Sequence, residues 1–213
     1  MLIVGNSHSK DIFNVLYNSK SASSRYQLAR YGVQIRYLEK LSHDFYSSSN
    51  YLDSEVIMLA SRFNKRDVAS LPVIIKKIQA DRKTVFIVKR IFDFQYNKIN
   101  FKNLADFQLS KWCLYSCDES NSIEIRKKVD RAYYENYLDL EYQNSESHQI
   151  NNRLENIAME HHVKVLDRME YVCDRNNKQC YSMNNNFEKY FYDYGHHTIE
   201  GAQYFGKRVD YIG

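Results

Sequence analysis

The sequence predicts a three-layer α/β/α sandwich built on a central, mostly parallel sheet of about five strands. Short, continuously apolar runs recur along the chain, and amphipathic stretches separate them. Strands covered on both faces read as unbroken apolar runs, and helices between successive strands let those strands lie parallel. The length of 213 residues suits one domain over 1–213, since single cores grow to roughly 250 residues before chains divide.

The first strand is expected over 2–4 (LIV), with Gly5 as its exit. A helix follows over 9–18, carrying Ile12, Phe13, Leu16 and Tyr17 on one face. After a turn at Gly32, which also reads as a helix C-cap, VQIRYL at 33–38 is the second strand. EVIMLA at 55–60, TVFIV at 84–88 and VKVL at 163–166 are the third, fourth and fifth. Helices are expected over 68–80, 122–140 and 150–161, and a last one opens near Thr198 and runs past Phe205. No repeat or low-complexity linker interrupts the series, and Pro72 is too isolated to mark a boundary.

Composition narrows the class. Apolar residues make up 44% and charged residues 26%, an ordinary globular balance. The departures are 19 Tyr, 11 Phe, only 6 Gly and a single Pro, and the surplus of Tyr, Asn and Lys fits the base composition of a genome better than a function. The net charge of +4 is spread without a run of five like charges, so no nucleic-acid partner is expected. No stretch approaches the ~18 apolar residues of a membrane span, nor does the start resemble a signal peptide, so direct membrane insertion is not expected. The cysteines fall as Cys113 with Cys117 and Cys173 with Cys180. Neither is a CxxC pair, and His161–His162 lacks zinc-site spacing, so no metal is expected. For the segment CDRNNKQC, a local disulfide and reduced thiols both remain open.

Two stretches carry chemistry. Ser7 follows the first strand in VGNSHSKD, where it is either a nucleophile at the ligand-binding edge of the sheet or an N-cap of the next helix. In DYGHHTIEGA, Asp193 precedes His196 by three residues. A carboxylate so placed can accept the imidazole Nδ1 proton and leave Nε2 outward, the orienting half of a Ser-His-Asp triad. Ser7 would complete it if the last loop folds across the end of the first strand.

GNSHSKD resembles the first motif block of the SGNH (GDSL-like) hydrolases, commonly Gly-Asp-Ser, and DYGHHTIEGA resembles their last, Asp-x-x-His. The likeness is nearer still to the SGNH domains attached to membrane acyltransferases that modify bacterial surface polysaccharides. Those begin with Gly-Asp-Ser-His and end with a Cys-loop-Cys, then Asp-x-x-His-Leu-Ser-x-x-Gly-Ala. The counterparts here are Cys173 and Cys180, then Asp193, His196, His197, Thr198, Gly201 and Ala202. The resemblance implies an SGNH/flavodoxin-like sandwich with Ser7 as nucleophile, His196 as general base and acid, and Asp193 as the group that orients His196.

Three positions depart from the family pattern. Asn6 stands where Asp is usual, a change the turn tolerates. His197 replaces Leu and is an alternative base. The family's oxyanion donors lack clear counterparts: no glycine follows the second strand, and ASRFNKRD after the third lacks Gly-x-Asn-Asp. Asn64 is one candidate donor. Arg62 resembles the arginine of an Ala-Ala-Arg-Trp-like run, as an oxyanion or substrate-binding group, although a surface arginine is the plainer reading.

The function the resemblance implies is O-acyl, above all O-acetyl, transfer on a bacterial surface glycan through an acyl-enzyme on Ser7. A carbohydrate acetylesterase or small-ester hydrolase with the same triad is the alternative, and a degenerate glycan-binding module a third. The expected partners are an acyl donor and a carbohydrate, with a membrane acyltransferase admitted, and no cofactor is required. The chain as given would act in the bacterial cytoplasm, or in the periplasm or at the cell surface as part of a larger exported protein. His8 reads as local packing, the segment 131–142 as a helix on the sheet, and Trp112 and Tyr115 as sugar contacts only if their loop reaches the site.

Overall fold

Alternation along β1 (Leu2–Gly5) sets the layers. Leu2 and Val4 enter one core with Ile57 and Leu59, whereas Ile3 enters the other with Met58. A computed structural model describes residues 1–94, 103–112, 121–143 and 145–212 of the protein. Its main sheet has five strands in the order β2-β1-β3-β4-β5, formed with β2 (Ala29–Gly32), β3 (Val56–Ala60), β4 (Thr84–Val88) and β5 (Lys164–Leu166). All four pairings are parallel. The order reverses at β1, and in such sheets the crevice beyond the carboxyl ends at that point receives ligands.

The connecting helices are α1 (Ser7–Tyr17), α2 (Lys20–Arg25), α3 (Ser49–Leu52), α4 (Lys65–Ala80), α5 (Leu104–Trp112), α6 (Ser122–Tyr142), α7 (Glu146–Glu160), α8 (Arg168–Val172) and α9 (Ile199–Ile212). On one face, α4 contributes Leu71, Ile74 and Ile78 and α7 contributes Ile150 and Leu154. On the other, α1 brings Ile12 and Val15, α6 brings Val129, Tyr133 and Tyr137, and α9 brings Phe205. Each such aliphatic side chain contributes about 1.5–3 kcal/mol on burial. The Tyr-rich segment is therefore a core helix, as its pattern predicts. Among the described residues no helix is long and apolar enough to cross a membrane.

The expected second strand is displaced. Pairing with β1 falls on Ala29–Gly32, while Ile35–Glu39 forms a 3₁₀ turn. Ile35 and Leu38, three apart and fully buried, share one face at the period of three that such a turn provides. Gly32 thus closes β2 opposite Gly5 and caps no helix. Cys173 and Cys180 are joined in a disulfide across the hairpin β6 (Cys173–Asp174) and β7 (Gln179–Cys180), whose register sets them opposite each other. Cys113, Cys117 and Tyr115 lie outside the described residues.

Candidate active site

The turn from β1 into α1 is built by close approach. A Cβ on Gly5 would lie 1.8 Å from the Ala60 carbonyl oxygen, so only glycine lets the ends of β1 and β3 come together here. Asn6 is the N-cap: its Oδ1 accepts the His8 N–H at 3.1 Å and, across the crevice, the Arg62 N–H at 3.2 Å. An Asp would accept the same bonds, so Asn6 is a replacement this turn permits. The question raised by VGNSHSKD resolves locally: Asn6 caps, and Ser7 is an exposed residue at the first helical position.

Across the chain, the segment before α9 doubles back on itself. Phe191 bridges His197, and the Tyr192 N–H donates to the His196 carbonyl at 3.1 Å. Asp193 Oδ1 accepts the backbone N–H groups of Gly195 at 2.9 Å and His196 at 2.8 Å. The loop presents His196 with Nε2 3.2 Å from Ser7 Oγ, joining residues 189 apart in sequence. Its ring is covered on one face by Tyr192, nearly parallel at 5.5 Å between centroids, and packs on His8 at 4.2 Å.

The carboxylate on His196 Nδ1 is Asp11, at 2.7 Å, and not Asp193. Asp193 is committed to the backbone of its own turn, whereas Asp11, one helical turn after Ser7, rises from the same face of α1. The apolar face read from the sequence, Ile12, Phe13, Leu16 and Tyr17, leaves Asp11 on the opposite side; in the structure Asp11 is on the buried face of α1, where an unpaired carboxylate is costly. His197, the alternative base, is also displaced from that role. Consecutive residues of the bridged segment point opposite ways, and His197 Nε2 lies 3.1 Å from Arg168 in the interior.

Charge separates the three clustered histidines. Burial opposes a proton on His196, but the hydrogen bond and charge of Asp11, with the charge of Asp193, outweigh it and raise its pKa above 6.5. For His8 and His197, burial and then the Arg168 charge act in the same direction, and both are held well below 6.5. His8, Asp11 and His196 offer ligand atoms within 4.8 Å of one another. The Arg168 guanidinium, 3.2 Å from His8 Nδ1 and 3.9 Å from Asp11, would repel a cation bound there.

The opposite flank of Ser7 is made by the turn after β3. Arg62 donates to Asp93 at 2.6 Å and to the Tyr194 hydroxyl at 3.0 Å, and its guanidinium lies over the Tyr194 ring at 4.5 Å. Arg90 donates to the same Asp93 oxygen at 2.7 Å. Asn64 is the N-cap of α4 in a reciprocal capping box with Asp67, so its Oδ1 faces backbone N–H groups. A groove of about 790 Å³ opens beside Ser7 between α1, with Lys10 and Asn14, and the entry to α9, with Tyr192 and Thr198; neither Arg62 nor Asn64 lines it.

A parallel sandwich that sets serine, histidine and aspartate in hydrogen-bonded series beyond the carboxyl end of its first strand has the architecture of a serine hydrolase. The chain belongs to the family described as "SGNH domain (fused to AT3 domains)", whose model matches residues 1–210. Membership carries acyl-transfer or esterase-type chemistry and points to association with a membrane acyltransferase. No match was found among curated proteins or solved structures.

Proposed function

We propose that the protein transfers an O-acyl group, above all acetyl, on a bacterial surface glycan through an acyl-enzyme on Ser7. The observation that carries this reading is the unbroken series Ser7 Oγ, His196, Asp11, at 3.2 and 2.7 Å. Ser7 Oγ attacks the acyl carbonyl carbon as His196 Nε2 takes the hydroxyl proton. Asp11 holds Nδ1–H and stabilises the imidazolium, and Asp193 adds charge while shaping the loop. The tetrahedral oxyanion meets the Ser7 N–H, the first amide of α1, at the positive end of that helix. The bond from carbon to the leaving oxygen then breaks, and His196 returns its proton to that oxygen. A glycan hydroxyl, deprotonated by His196, attacks the acyl-enzyme and regenerates Ser7.

In this reading Arg62, anchored by Asp93 and Tyr194, grips substrate or supports the oxyanion, and Asn64 acts chiefly through the cap that holds the β3–α4 turn. The acyl donor is supplied through a membrane acyltransferase. The Cys173–Cys180 disulfide supports a periplasmic or cell-surface setting, since such bonds persist in oxidising compartments. One observation favours a second reading, carbohydrate acetylesterase: Ser7 is exposed, so water reaches the acyl-enzyme as readily as a sugar does.

A fluorophosphonate probe should label wild type at Ser7 and leave Ser7→Ala unlabelled. Ser7→Ala and His196→Ala should each lose about 10⁴-fold or more in kcat/KM on p-nitrophenyl acetate. No labelling of a folded wild type would leave a glycan-binding module as the better reading. Supplied with an acyl donor and candidate glycans, the transferase yields acylated sugar; free acetate alone would select the esterase.

A further inference from the structure

Arg168 opens α8 and is only 1% exposed, the bulkiest side chain so fully enclosed among the described residues. Burying a guanidinium costs several kcal/mol unless its donors are met. Its Nε donates to the Tyr171 hydroxyl at 3.1 Å; one terminal nitrogen donates to His8 Nδ1 at 3.2 Å and the other to His197 Nε2 at 3.1 Å. The second of these also lies 3.9 Å from Asp11 Oδ2.

A guanidinium has donors only, so each ring nitrogen that faces it must be unprotonated. This fixes His8 as its Nε2–H tautomer and His197 as its Nδ1–H tautomer, with both rings neutral. Their remaining nitrogens are buried without a hydrogen-bond partner. A second proton on either ring would turn an acceptor of Arg168 into a donor pointing at it. His196 alone has Nδ1 on a carboxylate and Nε2 on Ser7.

We infer that Arg168 is a positioning residue that selects His196 from three clustered histidines, by holding His8 and His197 as neutral acceptors and leaving the Asp11 carboxylate to His196. The inference rests on the Ser7–His196–Asp11 reading. The groups facing Arg168 are His8 and Asp11 of α1, His196 and His197 before α9, and Tyr171 of α8. Asp193, Tyr192 and Tyr194 complete the surroundings of His196, and the Arg62 charge reaches His8 from the β3–α4 turn. Without Arg168, Asp11 Oδ2 has a second imidazole within reach, His8 Nδ1 at 3.8 Å.

The first test needs no variant. Nitrogen-15 NMR of the histidine rings in wild type, between about pH 5 and 8, should find His8 protonated at Nε2 only and His197 at Nδ1 only. Titration of either ring in that window, or the opposite tautomer, overturns the inference. In Arg168→Met the donor that fixes both rings is gone, so the same spectra should show His8 carrying a proton at Nδ1 toward Asp11, and the acidic limb of kcat/KM should move as that carboxylate is shared. Arg168→Lys, which keeps the charge, should stay near wild type. A folded Arg168→Met that is slower with an unmoved limb makes the residue merely structural; if it does not fold, the wild-type spectra decide. Failure of the underlying reading has its own sign, a wild-type Ser7 that takes no fluorophosphonate, whereas the ring tautomers are read without turnover.

Discussion

On one flank of Ser7, hydrogen bonds run through His196 to a buried Asp11, and Arg168 closes the series from beneath. On the other, where β3 ends, Arg62 is turned onto Asp93 and Tyr194 while Asn64 caps α4. The first flank is already joined in hydrogen-bonded series, the arrangement that the proposed proton transfer needs. The second contains cations and amides that already have partners, so in the proposed reading its help to an oxyanion would come as redirection of existing bonds. Preorganisation of charge is worth most where the groups need not move. The domain should therefore depend more steeply on the first flank than on the second.

The steepest test of that asymmetry is Asp11→Asn. An amide on Nδ1 favours the wrong imidazole tautomer, and kcat/KM on p-nitrophenyl acetate should fall by about 10⁴-fold. Whatever activity remains should have its acidic limb moved to lower pH, because the group that raises the His196 pKa has been removed. On the second flank, Arg62→Ala should cost about 10- to 100-fold, with rescue by Arg62→Lys only if charge without the fork suffices. Asp193→Asn is milder: the amide oxygen can still accept the Gly195 and His196 N–H groups, so only its charge is lost, about tenfold or less. A larger loss for Asp193→Asn than for Asp11→Asn would reverse the assignment of the orienting acid. Smallest in rate, Asn64→Ala removes a cap and should appear chiefly as about 1 kcal/mol of stability in denaturant melts.

The same histidines set the response of the fold to acid. His8 and His197 have folded-state pKa values below their unfolded ones. The stability they contribute is therefore present above pH 6.5 and lost as pH falls beneath it, by about 1.4 kcal/mol per pH unit for each ring. His196, shifted upward, works in the opposite sense. Denaturant midpoints measured from neutral to mildly acid pH should fall, and the fall should lessen in His197→Gln.

What the sequence made legible follows burial. β4 is found at 84–88 as expected and β3 lies within one residue, because strands covered on both faces leave unbroken apolar runs. β2 is an edge strand with Arg30 at its middle, so its run is short and polar and the apolar 3₁₀ turn beside it drew the assignment. Ser7 and His196 were legible from motif spacing. Asp11 was not, since spacing cannot say which of two carboxylates meets Nδ1 when one lies in the same loop and the other on a distant helix. Arg168 left no local trace, because a buried arginine is recognised by the acceptors around it, and those come from both ends of the chain.

The hold on His196, by Asp11 at Nδ1 and by the neighbouring Tyr192 and His8 rings, has a kinetic consequence. With Nδ1 held by Asp11 only Nε2 faces Ser7, so in the proposed mechanism the edge that removes the serine proton must also deliver it to the departing alcohol. That edge is free for the next alcohol only once the first has gone. With donor and acceptor both varied, initial rates should give parallel double-reciprocal lines, the mark of an enzyme that releases one product before it admits the second substrate.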